Sequence, residues 1–123
     1  MNAGGEIMQP LPEYERAIIP IEKFTRYALN PIAAPDKALA FEKALGYTIR
    51  NADKLIKNIH SHLGDFPWVE KGDTGYGMRY EVLMVLKGEN GKRAMVLTAW
   101  MKDRDTGELR LISGYIKKRK EGK

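Results

Sequence analysis

The chain has 123 residues, no cysteine, and 21 basic against 16 acidic residues, which gives a formal net charge of +5. This length suits one domain that buries a core unaided, and the lack of cysteine excludes disulfides, thiolate zinc sites and cysteine nucleophiles. No apolar run approaches the roughly 18 residues of a membrane span, and the first residues lack the parts of a signal peptide. We therefore expect a cytoplasmic protein without a membrane partner. Its positive net charge is compatible with a polyanion, such as RNA, as a binding partner.

The amino-terminal half predicts a loose leader followed by helices. Residues 1–12 contain two glycines and two prolines without periodicity, and residues 16–19 suit a short extended segment ended by a proline. The spacing of apolar residues then predicts three helices, over residues 20–29, 35–45 and 52–63. Prolines suit the first turns of the first two, and glycines follow the last turns of the second and third.

A glycine-rich stretch separates these helices from the strands. Residues 65–77 contain Pro67 and three glycines, which predicts a loop leading into the sheet. Backbone amides near its end have the freedom to approach a phosphate. However, the stretch precedes a strand rather than opening a helix, so it matches neither the dinucleotide-binding nor the P-loop pattern.

Alternating apolar residues over positions 78–117 predict an antiparallel meander with two tight turns. Asn90-Gly91 is a strong two-residue hairpin signal, and Thr106-Gly107 is a second candidate. The order of elements predicts an α+β fold, in which about three amino-terminal helices cover one face of a carboxyl-terminal antiparallel sheet of three to four strands. A single domain then spans residues 13–117, and residues 118–123 form a basic tail.

The predicted register sorts the strand residues into two faces. Two-residue loops at both turns pair Leu86 with Met95 and Ala99 with Gly114. One face is then the core, made of Tyr80, Val82, Met84, Leu86, Met95, Leu97, Ala99, Met101, Ile112 and Ile116. The other face carries at its centre Arg79, Glu81, Thr98, Trp100, Ser113 and Tyr115, flanked by Leu83, Val85, Val96, Leu111 and Lys117. An aromatic ring beside a charge pair and hydroxyls, on the face that folding does not need, is the predicted functional site.

These residue types suit an RNA-directed site. Metal-independent RNA cleavage needs a base for the 2′-hydroxyl, an acid for the leaving oxygen and cations for the phosphorane charge. The residues predicted to supply this catalysis are Glu81, Arg79 and His60. Aromatic rings stack unpaired bases, for about 1–3 kcal/mol each, while hydroxyl and amino groups bind phosphates and base edges. The residues predicted to bind substrate are Thr98, Trp100, Ser113, Tyr115 and Lys57.

Each of these residues also has a purely structural interpretation. Arg79 and Glu81 lie two apart on one strand, where a surface pair contributes about 0–1 kcal/mol. Trp100 is large enough to form a second small core under the leader or under residues 64–76. His60 lies at the edge of an apolar helix face and suits a packed or exposed position.

Two further points follow from the residue types. No metal site is predicted, because His60 and His62 diverge on a helix, and nothing indicates a cofactor. In a non-enzymatic binding module, Trp100 and Tyr115 would instead be anchors of a protein interface.

A set of short motifs spreads over most of the chain. These motifs are Ala17-Ile18-Ile19, Lys23-Phe24-x-x-Tyr27-x-Leu29-Asn30-Pro31, Lys37-Ala38-x-x-Phe41, Ala44-Leu45-Gly46-Tyr47, Asn51-Ala52-Asp53-x-Leu55, Tyr76-Gly77-x-Arg79-Tyr80, Asn90-Gly91-Lys92, Thr98-x-Trp100 and Arg110-Leu111-x-Ser113-x-Tyr115. With them the chain resembles a small bacterial domain of unknown function, found alone and at the carboxyl termini of phage-related or secreted polymorphic toxins.

The resemblance implies a toxin-type module with RNA as a candidate target, a cognate immunity or antitoxin protein as partner, and delivery as an effector in toxin-linked relatives. The family has no settled activity to carry over. Members often have a histidine after Asn-Pro, where this chain has Ile32, so no loop histidine is expected to act here. The layout of helices before an antiparallel sheet is also similar to the barnase, colicin D and RelE group of ribonucleases, at the level of fold only.

Overall fold

The computed structural model describes residues 9–118 of the chain. Within this range the helical elements come first: a π-helical turn (Lys23–Ala28), α1 (Pro35–Leu45) and α2 (Ala52–His62), with 3₁₀ turns at Tyr14–Arg16, Ile49–Asn51 and Leu63–Asp65. The strands follow: β1 (Trp68–Asp73), β2 (Gly77–Lys87), β3 (Arg93–Asp103) and β4 (Leu109–Ile116). They form an antiparallel sheet in the order β1-β2-β3-β4. The prediction of an α+β fold with helices before an antiparallel sheet is confirmed.

Helix α1 forms where its start and stop signals predict it. Pro35 lies in the first turn, where its missing N–H costs nothing, and the helix buries Phe41 and Leu45. Gly46 ends it in the left-handed conformation, at φ 79°, and donates its N–H to the carbonyls of Phe41 and Glu42.

The other two predicted helices differ in how regular they are. Helix α2 matches its prediction and buries Leu55 and Ile59. The segment predicted as a helix over residues 20–29 is instead a short wide turn, in which the Leu29 N–H donates to the Phe24 carbonyl five residues back, at 2.8 Å. The π-helical turn spans only the six residues Lys23–Ala28, which is shorter than the predicted helix.

One hydrophobic core lies between the helical layer and one face of the sheet, which we call the covered face. Its largest fully buried side chains are Trp100, Tyr47, Phe24, Phe41, Leu11, Leu29, Leu45, Leu55, Ile59, Leu63, Met84 and Leu86. The Phe24 ring lies directly on β4, because a Cβ added at Gly114 would be 3.7 Å from it. Burial of such side chains, at about 1.5–3 kcal/mol each, holds the helical layer on the sheet.

The packed part of the chain extends into the predicted leader. Leu11 is fully buried in the core, although the sequence places it within the loose residues 1–12. The first eight residues of that leader, and residues 119–123 of the predicted basic tail, lie outside the described residues.

The β2–β3 hairpin has a three-residue loop instead of the predicted two-residue loop. The Gly88 N–H donates to the Lys92 carbonyl at 2.8 Å, which leaves residues 89–91 as the loop. Leu86 therefore faces Ala94, and the predicted register between β2 and β3 is wrong by one residue.

The physical reason is that the hairpin tip docks on the end of α1. The Asn90 N–H donates to the Leu45 carbonyl at 3.3 Å, and the Asn90 side-chain amide donates to the Lys43 carbonyl at 3.5 Å. Carbonyls in the last turn of a helix have no partner inside the helix, so the loop supplies one. Gly91, at φ 82°, closes the turn by donating to the Gly88 carbonyl.

The β3–β4 turn is longer than predicted as well. The loop comprises residues 104–107, closed by a hydrogen bond from the Asp103 N–H to the Glu108 carbonyl at 2.8 Å. The Asp103 carboxylate accepts hydrogen bonds from the backbone N–H groups of Asp105 and Thr106, at 2.8 and 2.9 Å. This local carboxylate turn favours the four-residue loop over the two-residue alternative.

A bulge between Ala99 and Trp100 then changes the register once more, and Ala99 faces Ser113 instead of Gly114. The two register errors cancel for the end of β4, which presents Ser113 and Tyr115 to the predicted side.

Strand β3 is turned over relative to its prediction. Four residues predicted in the core face point away from it (Met95, Leu97, Ala99 and Met101), and three predicted on the opposite face are buried in the core side (Val96, Thr98 and Trp100).

Two further segments complete the sheet. Residues predicted as a loop form the edge strand β1, whose Trp68 packs edge-on against Tyr80 with ring centroids 5.2 Å apart. At the other edge, the extended segment predicted over residues 16–19 is reduced to an isolated bridge at Ile18, since Arg16 belongs to a 3₁₀ turn. Ile18 donates to the Leu109 carbonyl at 2.8 Å and accepts from the Leu111 N–H at 2.9 Å.

Gly88→Ala tests whether hairpin docking constrains the fold. A Cβ at this position would overlap the backbone of Leu45, so α1 and the hairpin would have to separate. We expect the free energy of unfolding to fall by about 1–3 kcal/mol, measured by urea denaturation followed by circular dichroism. The neighbouring change Glu89→Ala removes only an exposed ion pair with Lys54 (3.6 Å) and should cost less than about 1 kcal/mol. Equal stability of both variants would contradict the docking constraint.

Candidate functional site

The face of the sheet turned away from the helices is the candidate site, and we call it the open face. Because side chains alternate along a strand and paired residues share a face, it carries Val69, Arg79, Glu81, Leu83, Val85, Lys87, Arg93, Met95, Leu97, Ala99, Met101, Asp103, Arg110, Ser113, Tyr115 and Lys117. Ala99 is buried, at 5% exposure, but within residues 9–118 none of these side chains belongs to the main core cluster or is among the partly buried residues packed against it.

One half of the open face, towards the β1–β2 and β3–β4 turns, is polar. Glu81, Ala99 and Ser113 lie side by side across β2, β3 and β4. The next row places Arg79 near this carboxylate, and Lys71 Nζ lies 3.9 Å from Glu81 Oε1. This polar half therefore holds a carboxylate among cations.

The other half, towards the β2–β3 hairpin, is apolar, and we call it the apolar half. It consists of Leu83, Val85, Met95, Leu97 and Tyr115. Leu83 and Val85 are 40% and 45% exposed, which is high for aliphatic side chains in the middle of a sheet. Lys37 of α1 reaches around the β4 edge and places its Nζ 5.6 Å from the centroid of the Tyr115 ring.

The structure brings four of the predicted site residues together and separates the others. Arg79, Glu81, Ser113 and Tyr115 share the open face as predicted. The predicted placement of Thr98 and Trp100 beside them is wrong: both are fully buried on the covered face.

The buried pair forms a chain of hydrogen bonds. Trp100 Nε1 donates to Thr98 Oγ1 at 2.8 Å, and Thr98 Oγ1 donates to the Val82 carbonyl at 2.8 Å. A buried indole N–H needs a partner, and this hydroxyl supplies it within the core. Trp100 therefore cannot stack an unpaired base without opening the core.

His60 and Lys57 lie on α2, which packs on the covered side of the sheet through Leu55 and Ile59. Both side chains are exposed. The sheet thus stands between them and Glu81, and the open face receives neither. His62 Nδ1 lies 3.0 Å from the Asn58 carbonyl, one turn back in the same helix.

The glycine-rich loop before β2 is organised by an acid rather than shaped for a phosphate. Asp73 accepts a hydrogen bond from the Gly75 N–H at 2.7 Å and pairs with Arg104. These bonds lower the pKa of the Asp73 carboxyl, with the backbone N–H as the largest cause. A carboxylate already bound to the amide would repel an anion there.

The part of the chain that the structure describes contains neither a metal-binding cluster nor a membrane-spanning helix. No group of three or more histidine, cysteine, aspartate and glutamate side chains that could hold a metal ion occurs there. Nor does any helix there have the length and apolar character needed to cross a bilayer.

Comparison with known proteins places the chain in a family. It matches the family described as "Domain of unknown function (DUF6883)" over residues 10–118. The chain belongs to this family. No significant match was found among curated proteins or among solved structures.

The sequence predicted Leu83 and Val85 on the open face of this DUF6883 domain, but it did not reveal that Met95 and Leu97 join them in an apolar half. Met95 and Leu97 alternate like core residues, and a one-residue register error moves them to the wrong side. The signal that could have found the error is Asn90, whose polar side chain also suits a helix carboxyl terminus.

Replacing Thr98 tests its buried role in the DUF6883 domain. Thr98→Val keeps the shape but leaves the indole N–H of Trp100 without its partner, which should cost about 1–3 kcal/mol of unfolding free energy. Thr98→Ser keeps the hydroxyl and serves as the control in the same urea titration. If valine were as stable as threonine while serine was not, the methyl group rather than the hydrogen bond would matter.

Acid titration tests the two turn carboxylates. Backbone N–H groups lower the pKa of Asp73 and of Asp103 below the ordinary value of 3.8. A carboxyl group whose pKa is lower in the folded protein than in the unfolded chain stabilises the fold at pH values above the unfolded pKa. This stabilisation disappears as the pH falls through the folded pKa. We expect NMR midpoints below 3.8 for both residues in the folded protein and ordinary midpoints in urea. Folded-state midpoints at or above the urea values would contradict the turn geometry.

Proposed function

We propose that the domain is a protein-binding module that docks an acidic partner protein on the apolar half of its open face. The observation that carries the proposal is the exposure of Leu83 and Val85, at 40% and 45%, in the centre of a sheet face with no contact to the core within the described residues. Contiguous exposed apolar surface with a polar rim is typical of interaction sites.

The composition of the apolar half supports a protein partner. Methionine, tyrosine and arginine are enriched in protein interfaces, and this surface offers Met95 and Tyr115 beside three aliphatic side chains. Strands spaced ~4.8 Å apart also make it broad and shallow, which suits a partner surface better than a small molecule.

The charges around the apolar half indicate an acidic partner. Lys87, Arg93 and Lys117 lie at its hairpin end on the same face, and the apolar half itself contains no carboxylate. A second copy of the chain would bring the same cations, so it lacks the complementary charge that favours specific docking. An immunity or antitoxin protein, as the toxin resemblance implies, is a partner class of the required kind.

RNA cleavage is the second candidate function. Its support is that Glu81, Arg79 and Ser113 occupy the polar half of the open face together with nearby cations. Under this hypothesis Glu81 is the general base and Arg79 stabilises the phosphorane. Incubation of purified protein with total bacterial RNA, with Glu81→Gln as the control, tests it. Cleavage by the wild type alone would favour this candidate, and so would growth arrest that Glu81→Gln abolishes.

Site-specific photocrosslinking tests the binding proposal. A benzoylphenylalanine at position 85 should capture a partner in cells of the source organism, whereas the same group at Leu39, 51% exposed on α1, should not. The captured protein is then purified and titrated calorimetrically. Val85→Asp should weaken its binding at least ~10-fold, about 1.4 kcal/mol, and Leu39→Asp should not.

Three outcomes would contradict the proposal. Equal capture from positions 85 and 39 would show that the apolar half has no special role. A crosslinked dimer of the chain would replace the partner protein by a second copy. A captured protein whose affinity ignores Val85→Asp would place the interface elsewhere.

A further inference from the structure

A second surface adjoins the apolar half, where α1 runs beside β4 and the start of β3, and it shares Tyr115, Arg93 and Lys117 with the hairpin end of that half. Two adjoining grooves of about 600 and 450 Å³ meet there and share Asp36, Ala40, Ile116 and Lys118 in their walls. Together they form one open surface depression along the exposed flank of α1. We call it the basic groove, because its cations are Lys37, Lys43, Lys92, Arg93, Lys117 and Lys118.

The charge of the basic groove is unbalanced. Asp36 is the one carboxylate among the described residues that line it. Elsewhere in residues 9–118 five cations have carboxylate partners and seven, among them Arg16, Arg50 and Lys57, have none within that range; the paired ones are Lys54, Lys71, Lys102, Arg104 and Arg110. None of the six groove cations forms an ion pair with a described residue. Folding therefore gathers unpaired positive charge from three elements at one place.

The cations of the basic groove are spread over its length. Lys37 and Lys43 lie six residues apart on α1, which is ~9 Å along the helix axis. Lys92 and Lys118 come from the hairpin and from the end of β4, on the opposite wall. Cations spaced over such a length match several phosphates in a row rather than a single phosphate group.

The floor of the groove adds an aromatic and an apolar surface. Tyr115 and Ile116 line its narrower part, and Lys37 lies over the Tyr115 ring. Proteins that bind single strands without sequence preference combine a positive groove for the backbone with aromatic rings for unpaired bases.

We infer that the basic groove binds the phosphodiester backbone of a single-stranded nucleic acid. This inference can be tested apart from the protein-binding proposal, because Lys43, Lys92 and Lys118 line the groove only, whereas Leu83 and Val85 belong to the apolar half only. Binding of this kind releases counterions, so the logarithm of the affinity should fall with the logarithm of salt by ~0.7 for each phosphate contacted.

Fluorescence anisotropy with labelled 12-nucleotide single strands of RNA and of DNA tests the inference over a range of salt concentrations. The groove variant replaces Lys43, Lys92 and Lys118 by glutamine. We expect its affinity to fall at least ~10-fold and its salt slope to become shallower by ~2. RNA and DNA arms of the same experiment show which backbone is preferred.

The matched control removes the same charge elsewhere, by replacing Arg16, Arg50 and Lys57 with glutamine, all exposed and outside the groove. It should keep its affinity within about two-fold of the wild type, as expected for cations that contact no phosphate. Equal losses of affinity in both variants would show that binding depends only on net charge, which would overturn the inference. Absence of wild-type binding would overturn it too, as would equal affinity for polyglutamate or for anionic lipid vesicles. Val85→Asp, which targets the apolar half, should leave strand binding unchanged.

Discussion

The contact between the β2–β3 hairpin and the carboxyl end of α1 is the constraint on which the surface chemistry depends. Asn90 donates to carbonyls of Leu45 and Lys43, and Gly88 lies so close to Leu45 that no side chain fits. Satisfying these helix carbonyls requires a three-residue loop, and the loop length determines which side of β3 faces the core. The same contact brings Lys92 next to α1 and so creates one wall of the basic groove.

As a consequence, β3 buries a polar side chain and turns apolar side chains away from the core, the reverse of the usual pattern. Its most polar core residue, Thr98, is buried, while Met95 and Leu97 face outwards. Burying the hydroxyl is tolerable because it accepts from Trp100 and donates to Val82. Facing the apolar side chains outwards has no such compensation from residues 9–118, and this imbalance is why the open face is the favoured place for a partner.

The sequence predicted α1, α2 and the fold class well, because these depend on local signals, but the helix predicted over residues 20–29 is only a π-helical turn. Gly46 stops α1 in the way a left-handed cap should, and the apolar stripe of α2 is regular. It predicted the faces of β3 poorly, because loop length depends on a contact with a distant helix. Arg79, Glu81, Ser113 and Tyr115 were nevertheless grouped correctly, since two register errors of one residue restore the alternation at the end of β4.

The bridge between Ile18 and β4 ties the first described part of the chain to the last strand. Such a pairing closes a loop that contains nearly the whole domain, so it raises the contact order and favours a slow final folding step. Until it forms, the start of the outer edge of β4, around Arg110, offers unpaired backbone groups to other chains. Aggregation during synthesis should therefore depend less on the strands themselves than on how soon the amino-terminal segment returns to cover them.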